Sequence, residues 1–144
     1  WKEMHKKNKV ILTTGPKMRR FFFTINDAVD LVSFALKNSK KFSGKIVCAD
    51  MKSSMILDVL KVWIKKYGGR YKVIRGRKGD RLDEYLIGSN EIKNTFTIKD
   101  KKKIYYVVDY DKYASRPLKT IISSQNSKKL NENELIRLLE IGMN

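Results

Sequence analysis

The segment that decides the fold is KMRRFFFTINDAVDLVSFAL, residues 17–36, in which a basic loop passes into an aromatic run and then into a helix. Thr24 stands three residues before Asp27, which is the spacing of a helix capping box. Apolar residues then recur at intervals of three and four, so the segment predicts a helix over 24–37 with one apolar face. That predicted face consists of Ala28, Leu31, Val32, Ala35 and Leu36.

Three consecutive phenylalanines, Phe21 to Phe23, stand before this helix and predict a short strand that is buried on both faces. Arg19 and Arg20 directly precede them. One interpretation is a phosphate clamp, because guanidinium groups offer a rigid bidentate fork and a helix N-terminus adds partial positive charge. The other interpretation is a pair of solvated arginines at the end of a strand. The sequence alone leaves both open.

The composition indicates one soluble globular domain. With 144 residues the chain is long enough to bury a real core, and 42% hydrophobic against 33% charged residues is neither a disordered nor a membrane composition. No apolar run approaches the roughly 18 residues that span a bilayer. Cys48 is the only cysteine, so no internal disulfide forms and a reducing, cytoplasmic setting is predicted. We interpret Cys48 as a core residue of a strand rather than a nucleophile.

The net charge of +17 indicates either an anionic partner or a cell interior that tolerates a strongly basic protein. Nucleic acid is the first candidate, but the lysines are spread along the whole chain and form no recognisable RNA- or DNA-binding motif. An unclustered basic surface provides non-specific attraction only. We therefore predict no specific nucleic-acid binding.

The remaining sequence predicts alternating strands and helices, which is the order of an α/β fold. Further strands are predicted at 10–12, 45–49 and 71–74 and in a hairpin over 95–108, and 120–129 is predicted to be irregular. Ser53 or Ser54 is predicted to cap a helix that Gly68-Gly69 ends, and Asn131 to cap the last helix. Residues 1–9 resemble the end of a helix with an exposed His5.

A basic loop with the sequence RGRKGDRLDEYL occupies 75–86. Glycines give it flexibility and arginines give it fixed guanidinium groups, which is what a loop needs to fold around a diphosphate. Asp83 and Glu84, which follow, could hold an arginine in place. The alternative is an ordinary surface turn before the next element, and the residues do not decide between the two.

The common catalytic and metal-binding motifs are absent from the sequence. There is no zinc spacing, no P-loop, no G-x-G-x-x-G and no G-x-S-x-G. Asp109 and Asp111 have no third ligand nearby and are interpreted as turn residues. We predict no metal site.

Several segments together resemble a known family, the nucleotide-sugar 4,6-dehydratases of capsule and flagellin-glycan synthesis, which are extended short-chain dehydrogenase/reductases. Residues 18–31 are similar to the family segment M-T-R-F-F-x-T-x-x-x-A-V-D-L. Residues 77–84 resemble R-x-G-E-K-x-x-E, 109–113 resemble N-Y-D-K-Y, and 122–130 resemble Y-T-S-x-N-T-x-R-L. The order and spacing hold across nearly the whole chain.

The resemblance implies that Arg20 and Arg77 bind the diphosphate of a UDP-sugar such as UDP-N-acetylglucosamine. Met18, Arg81 and Glu84 are expected to support this site, with Glu84 ordering the loop. The sequence departs from the family at Arg19, where the family has threonine, at Asp80-Arg81, where it has Glu-Lys, and at Ile122, where it has tyrosine. Arginine is not equivalent to lysine at a phosphate.

The family's dinucleotide-binding glycine loop and its Y-x-x-x-K pair are missing, since none of the seven tyrosines has a lysine four residues later. We therefore expect 1–144 to be one C-terminal, substrate-side domain of a longer polypeptide, inactive by itself. Residues 17–37 would pack on an N-terminal Rossmann domain, and 115–144 would be a C-terminal extension ending in a helix. NAD or NADP would serve the intact enzyme, which the resemblance implies to be a homo-oligomer.

Two other functions stay open at this point. A stand-alone basic module that binds nucleotides or nucleic acid would use the +17 charge and would lose affinity steeply with salt. A degenerate relic without activity is the third possibility, because the loop departs from the family pattern.

Overall fold

A computed structural model describes the fold of residues 1–141. The described helices are α1 (Lys2–Asn8), α2 (Ile25–Lys37), α3 (Ser39–Phe42), α4 (Ile56–Tyr67) and α5 (Glu132–Ile141), with a 3-10 helix at Ser89–Asn94. The described strands are β1 (Val10–Thr13), β2 (Arg19–Phe22), β3 (Ile46–Ala49), β4 (Lys52–Met55), β5 (Arg70–Val73), β6 (Tyr85–Ile87), β7 (Thr95–Asp100), β8 (Lys103–Val108) and β9 (Ile122–Ser123). The chain is thus a mixed α/β structure.

The strands form several small sheets rather than one large one. Strands β3, β8 and β7 make an antiparallel sheet in that order, and β7 and β8 are the predicted hairpin. Strand β2 pairs antiparallel with β4, and β6 pairs antiparallel with β9. The predicted strand, helix and strand around α4 are present, but the parallel partner of β5 is β1. Strand β3 pairs antiparallel with β8 instead of with β5.

Helix α2 is confirmed with its capping box. The Thr24 hydroxyl accepts a hydrogen bond from the Asp27 amide at 3.1 Å, and the Asp27 carboxylate accepts from the Thr24 amide at 3.0 Å. The residues of the predicted apolar face divide between the core, where Leu31 packs, and the surface, where Leu36 is 68% exposed. Phe34 packs inward, with its ring stacked on Tyr105 at 3.8 Å between centroids, whereas Val32 on the predicted face is exposed.

The predicted cap of helix α4 is wrong. The helix begins at Ile56 after Met55, and neither Ser53 nor Ser54 caps it. Both serines lie in β4, which pairs with β2, and both are buried there. The Ser53 hydroxyl donates to the Ser124 carbonyl at 2.6 Å.

His5 is buried against helix α4, and the prediction of an exposed His5 is wrong. Its ring meets Trp63 edge-on at 5.8 Å, and its Nε2 lies 3.1 Å from the Gly68 carbonyl. Gly68 ends α4 as predicted, with a φ of 73° that favours glycine. Helix α1 is therefore fixed to the end of α4 by an aromatic contact that the local sequence does not show.

Two segments differ from the prediction in burial or regularity. The phenylalanine run is only half-buried in β2, and Phe23 lies beyond the strand with 55% of its surface exposed. The segment 120–129 is not wholly irregular, because Ile122–Ser123 forms β9. The second difference follows from tertiary pairing, which gives Ser123 of β9 a partner 38 residues earlier, at Tyr85.

The C-terminal helix α5 begins as predicted. The Asn131 side chain accepts from the Glu134 amide at 2.9 Å, and the Glu134 carboxylate accepts from the Asn131 amide at 3.0 Å. Leu135 is buried with Val59 and Val62 of α4. The extension predicted over 115–144 includes residues 142–144, which lie outside the described residues.

Lys103 connects the hairpin to helix α2. Its ammonium lies 2.9 Å from an Asp27 oxygen and 2.7 Å from an Asp30 oxygen. The hydrogen bond from Lys103 is the largest influence on Asp27 and lowers the pKa of that carboxyl to about 2.

This ion pair predicts an acid-sensitive fold. Because the pKa of Asp27 is lower in the folded than in the unfolded chain, its contribution is present above about pH 4 and is lost as the pH falls toward about 2. Urea unfolding between pH 5 and pH 2 should show declining stability, and Asp27→Asn should flatten that decline. Equal pH slopes for wild type and variant would contradict the prediction.

Candidate functional site

The start of strand β2 lies against the end of the basic loop 75–84. The Arg19 amide donates to the Leu82 carbonyl at 2.7 Å, which joins two segments more than 60 residues apart in the sequence. The loop begins after β5, where the Ile74 amide donates to the Thr13 carbonyl at 2.8 Å. It therefore runs from the end of the β1–β5 pair to the first residue of β2.

Arg19 forms an ion pair with Asp83. Its Nη1 lies 3.0 and 2.9 Å from the two carboxylate oxygens of Asp83. Burial by itself raises the pKa of Asp83, but the hydrogen bonds from Arg19 and the Ser124 hydroxyl outweigh it and hold the pKa below its usual value. Asp83 is therefore ionised at neutral pH, and Arg19 is held in place rather than solvated.

Arg20 binds the same loop with several donors. Its Nε lies 3.1 Å from a Glu84 oxygen, and its Nη1 donates to the Arg81 carbonyl at 3.1 Å and to the Arg19 carbonyl at 2.7 Å. Its Nη2 faces the sulfur of Met18 at 3.0 Å. A thioether is a weak acceptor, so an anionic oxygen would bind Nη2 better than the sulfur does.

The place of Met18 depends on the turn at Gly15. A Cβ at position 15 would lie 2.4 Å from the Met18 sulfur, a distance that atoms do not tolerate. The Met18 amide also donates to the Gly15 carbonyl at 3.1 Å, which closes the turn. The glycine thus lets the Met18 side chain fold back, where its sulfur contacts Arg20.

Arg77 lies in the exposed middle of the loop. Its backbone amide donates to the Asp80 carboxylate at 3.0 Å, and Gly79 adopts a φ of 92°, so the loop is a defined turn. Within residues 1–141 the Arg77 guanidinium has no hydrogen-bond or ion-pair partner. Several cations of this loop form no ion pair within residues 1–141: Arg75, Arg77, Lys78 and Arg81.

The segment that follows β9 holds the loop from the other side. The Ser124 hydroxyl donates to Asp83 at 3.0 Å and accepts from the Glu84 amide at 3.0 Å. The Lys129 ammonium lies 2.6 Å from the Ser124 carbonyl and 3.1 Å from the Ser53 hydroxyl. Loss of water around this ammonium and the nearby Arg19 lower the pKa of Lys129. Three segments noted in the sequence analysis, 18–31, 77–84 and 122–130, thus meet at one place. We name the residues Arg19, Arg20 and 75–84 the arginine site.

The helix that begins beside the arginines is α4 rather than the predicted α2. Arg19 pairs with Met55, the residue before α4, across the β2–β4 ladder. The first two amides of α4 donate to the Met18 and Pro16 carbonyls at 2.9 and 2.8 Å. Because these amides already donate to backbone carbonyls, the helix N-terminus leaves them no free donors for an anion. The positive charge at the arginine site therefore comes from side chains.

The other candidate residues lie elsewhere and serve the fold. Asp109 forms an ion pair with Lys45 at 2.7 Å and accepts from the Asp111 amide, as the turn interpretation predicts. Among residues 1–141 no group of three or more His, Cys, Asp or Glu side chains is arranged to hold a metal ion. Cys48 is half-buried in β3, and burial raises the pKa of its thiol, so it is not an activated nucleophile.

A concave region of about 670 Å³ lies between β2, the hairpin and α5. Phe22, Leu130 and Leu138 contribute apolar lining, and Lys128 and Arg137 contribute charge. None of Arg19, Arg20 or Arg77 lines it. The cavity is therefore not the arginine site.

Ser124 and Lys129 were not predicted as parts of the site, whereas Arg19 was considered with Arg20 as a possible phosphate clamp. The sequence also offered a partner for an arginine, since Asp83 follows the basic residues of the loop. Ser124 and Lys129 act through backbone carbonyls and a hydroxyl, and such contacts leave no distinctive spacing in a sequence.

The fold agrees with the comparisons with known proteins. The sequence profile of the family described as "Polysaccharide biosynthesis protein" matches residues 1–108. The chain belongs to this family. The match includes the whole arginine site except its support from Ser124 and Lys129.

Relatives of this chain include named epimerases. It is 34% identical over 149 residues to the "Uncharacterized membrane protein MJ1061" of Methanocaldococcus jannaschii, covering 96% of this chain and 43% of that protein. It is 28% identical over 148 residues to the "UDP-glucose 4-epimerase" of Rickettsia akari, covering 93% of this chain and 42% of the epimerase. The chain is thus related to nucleotide-sugar enzymes and spans less than half the length of these relatives.

A solved structure shares the fold. The chain superposes on Pen from Bacillus thuringiensis with a TM-score of 0.83 and 21% sequence identity, over 99% of this chain and 44% of that one. In the described part of the chain no helix has the length and apolar character needed to cross a membrane.

Proposed function

We propose that this chain is the UDP-sugar-binding part of an NAD(P)-dependent nucleotide-sugar 4,6-dehydratase or epimerase of surface polysaccharide synthesis. The observation that carries the proposal is the attachment of Arg20 to the loop that bears Arg77. A guanidinium group on the loop and a second one bound to that loop suit a diphosphate, whose charge is spread over several oxygens. Membership of the polysaccharide-biosynthesis family and the likeness to UDP-glucose 4-epimerases support a nucleotide-sugar ligand.

In this proposal each arginine has a distinct part. Arg77 has an unoccupied guanidinium on an exposed turn and would bind phosphate oxygens directly. Arg20 would exchange the weak sulfur contact of Nη2 for a phosphate oxygen while Glu84 and the Arg81 carbonyl keep its other donors in position. Arg19, paired with Asp83, would position the loop rather than contact the ligand.

The cofactor would be bound outside the residues described here. A dinucleotide fits a glycine-rich turn that opens onto an α-helix N-terminus, but the described α-helices of more than one turn follow Trp1, Thr24, Met55 and Asn131 instead. We therefore assign no residue of this chain to NAD or NADP. When bound to the intact enzyme, the cofactor would supply the hydride chemistry at the sugar.

The proposal predicts specific binding of UDP-N-acetylglucosamine. Calorimetric titration of the chain should give a measurable Kd, and Arg77→Ala should weaken it about tenfold, as expected for one lost charge-assisted hydrogen bond. Arg116→Ala is the matched control, because Arg116 is an exposed arginine far along the chain from the loop. Equal affinities of wild type and Arg77→Ala would contradict the assignment.

The same titration separates the other two functions. A basic nucleic-acid module would bind a single-stranded oligonucleotide with affinity that falls steeply between 50 and 200 mM salt, on the order of 10³-fold for about six phosphate contacts, and would ignore the UDP-sugar. A relic without function would bind neither. Binding of the UDP-sugar that survives 200 mM salt excludes both.

A further inference from the structure

A fully buried serine supports each half of the arginine site. Ser53 and Ser124 both have 0% of their surface exposed. Ser53 lies in β4 and pairs with Phe21 of β2, the residue after Arg20. The Ser124 amide donates to the Glu84 carbonyl at 2.8 Å, which fixes Ser124 to the end of the basic loop. One serine is thus tied to the strand that bears one arginine of the site, and the other to the loop that bears the second.

The Lys129 ammonium joins these two serines. It lies 3.1 Å from the Ser53 hydroxyl, 2.6 Å from the Ser124 carbonyl and 2.8 Å from the Gln125 carbonyl. Three oxygens match the three N–H donors of an ammonium. Among residues 1–141 no carboxylate forms an ion pair with Lys129. Its charge-assisted hydrogen bonds therefore hold together what we name the serine–lysine junction: Ser53, Ser124 and Lys129.

The backbone on either side of Lys129 is anchored to β4. The Ser53 amide donates to the Lys128 carbonyl, and the Leu130 amide donates to the Ser53 carbonyl, both at 2.9 Å. The backbone of Lys129 is therefore fixed beside the strand. Its side chain is the part that reaches across to Ser124.

We propose that Lys129 is a positioning residue for the diphosphate, which sets the distance between Arg20 and the loop that bears Arg77 by locking Ser124 to Ser53. This inference rests on the proposed function. Two guanidinium groups bind one diphosphate well only at the right spacing, because hydrogen bonds weaken as their distances and angles depart from the optimum. Within residues 1–141 the Lys129 ammonium forms no hydrogen bond to Arg20 or to the loop, so its effect on a ligand passes through Ser124.

The direct contact between Arg20 and Glu84 cannot replace the serine–lysine junction. The Glu84 side chain is 45% exposed, and solvent screens an ion pair at such a position. Ser53 and Ser124 are closed to water, where a hydrogen bond is electrostatically stronger and costly to leave unmade. The junction is therefore the firmer of the two connections between strand β2 and the loop.

The test compares Lys129→Met with Lys128→Met in the whole chain. Lys128 is the matched control, because it is an exposed neighbour whose side chain forms no hydrogen bond or ion pair within residues 1–141. The Glu84 amide, which donates to the Ser124 hydroxyl, should exchange its hydrogen about tenfold faster in Lys129→Met, while α4 amides keep their rates. The Kd for UDP-N-acetylglucosamine should rise about five- to tenfold. Lys128→Met should change neither quantity.

Lys129→Arg separates positioning from packing. A guanidinium keeps the charge and several donors, and the exposed side chain at this position leaves room for it. Both the exchange rate of the Glu84 amide and the Kd should return to within about twofold of wild type. Arg77→Ala, in contrast, should weaken binding and leave Glu84 exchange unchanged.

Three results would overturn the positioning role: wild-type affinity in Lys129→Met, failure of Lys129→Arg to recover the loss, or exchange that becomes faster in α4 as much as at Glu84. The last would show a general loss of stability. A wild-type chain that binds no UDP-sugar would contradict the proposed function instead. Faster Glu84 exchange in Lys129→Met would then still show that Lys129 fixes the loop, so the two failures are distinguishable.

Discussion

Replacing Arg20 by alanine is expected to weaken UDP-N-acetylglucosamine binding about 10- to 100-fold, the range for hydrogen bonds to charged groups. The variant loses the direct contact and also releases the loop, because Arg20 binds the Arg81 carbonyl and Glu84. Arg20→Lys keeps the charge but not the planar fork, so it should recover only part of the affinity. Calorimetric titration of the variants measures both effects.

A double-mutant cycle tests whether Arg20 and Arg77 act on one ligand group. If both bind the same diphosphate, the loss for the double variant should differ from the sum of the single losses, because groups that share a partner couple. Wild-type affinity in Arg20→Ala, or strict additivity of the two substitutions, would count against a single diphosphate site.

Replacing Trp63 by alanine is expected to destabilise the fold by about 3 to 5 kcal/mol, as for other large buried aromatic residues. Trp63 is 4% exposed and packs with Ile11 and Leu60. Its ring also contacts Trp1 at 6.2 Å and Tyr67 at 5.1 Å, so α1, β1 and α4 all depend on it. The measurement is the free energy of unfolding from urea denaturation.

Trp63→Phe provides the control for this prediction. The indole Nε1 is buried and has no hydrogen-bond partner within residues 1–141, so its removal relieves a desolvation cost. Phenylalanine retains most of the ring, and the loss should stay below about 1.5 kcal/mol. We infer that Trp63 stabilises the fold through the packing of its ring and not through its N–H group. A phenylalanine variant as unstable as the alanine variant would contradict this.

The arginine site was predictable in outline and not in detail. Arg20 and the loop 75–86 stood out because arginines and glycines cluster there, and the two acids that follow indicated an ionic partner. The sequence could not show that Asp83 selects Arg19, since 64 residues separate them. It gave no sign of Lys129, whose contacts include a serine hydroxyl 76 residues away. The roles of Arg20 and Arg77 toward a ligand stay predictions.

The local sequence determined the elements whose hydrogen bonds close within a few residues. The caps of α2 and α5 each join residues three apart, Thr24 with Asp27 and Asn131 with Glu134. The end of α4 at Gly68 is equally local, because a positive φ depends on that residue alone. Such features form with little loss of chain entropy and hold in any tertiary context that keeps the helix.

Tertiary structure alone decided which residues meet across long stretches of chain. Ser53 and Ser54 have the composition of a helix cap, yet pairing of β4 with β2 places them in a strand. His5 has the basic neighbours of a surface residue, yet Trp63 buries it. In both places the gain from burial and strand pairing exceeds the weak local preference, and that gain depends on partners that spacing along the sequence does not reveal.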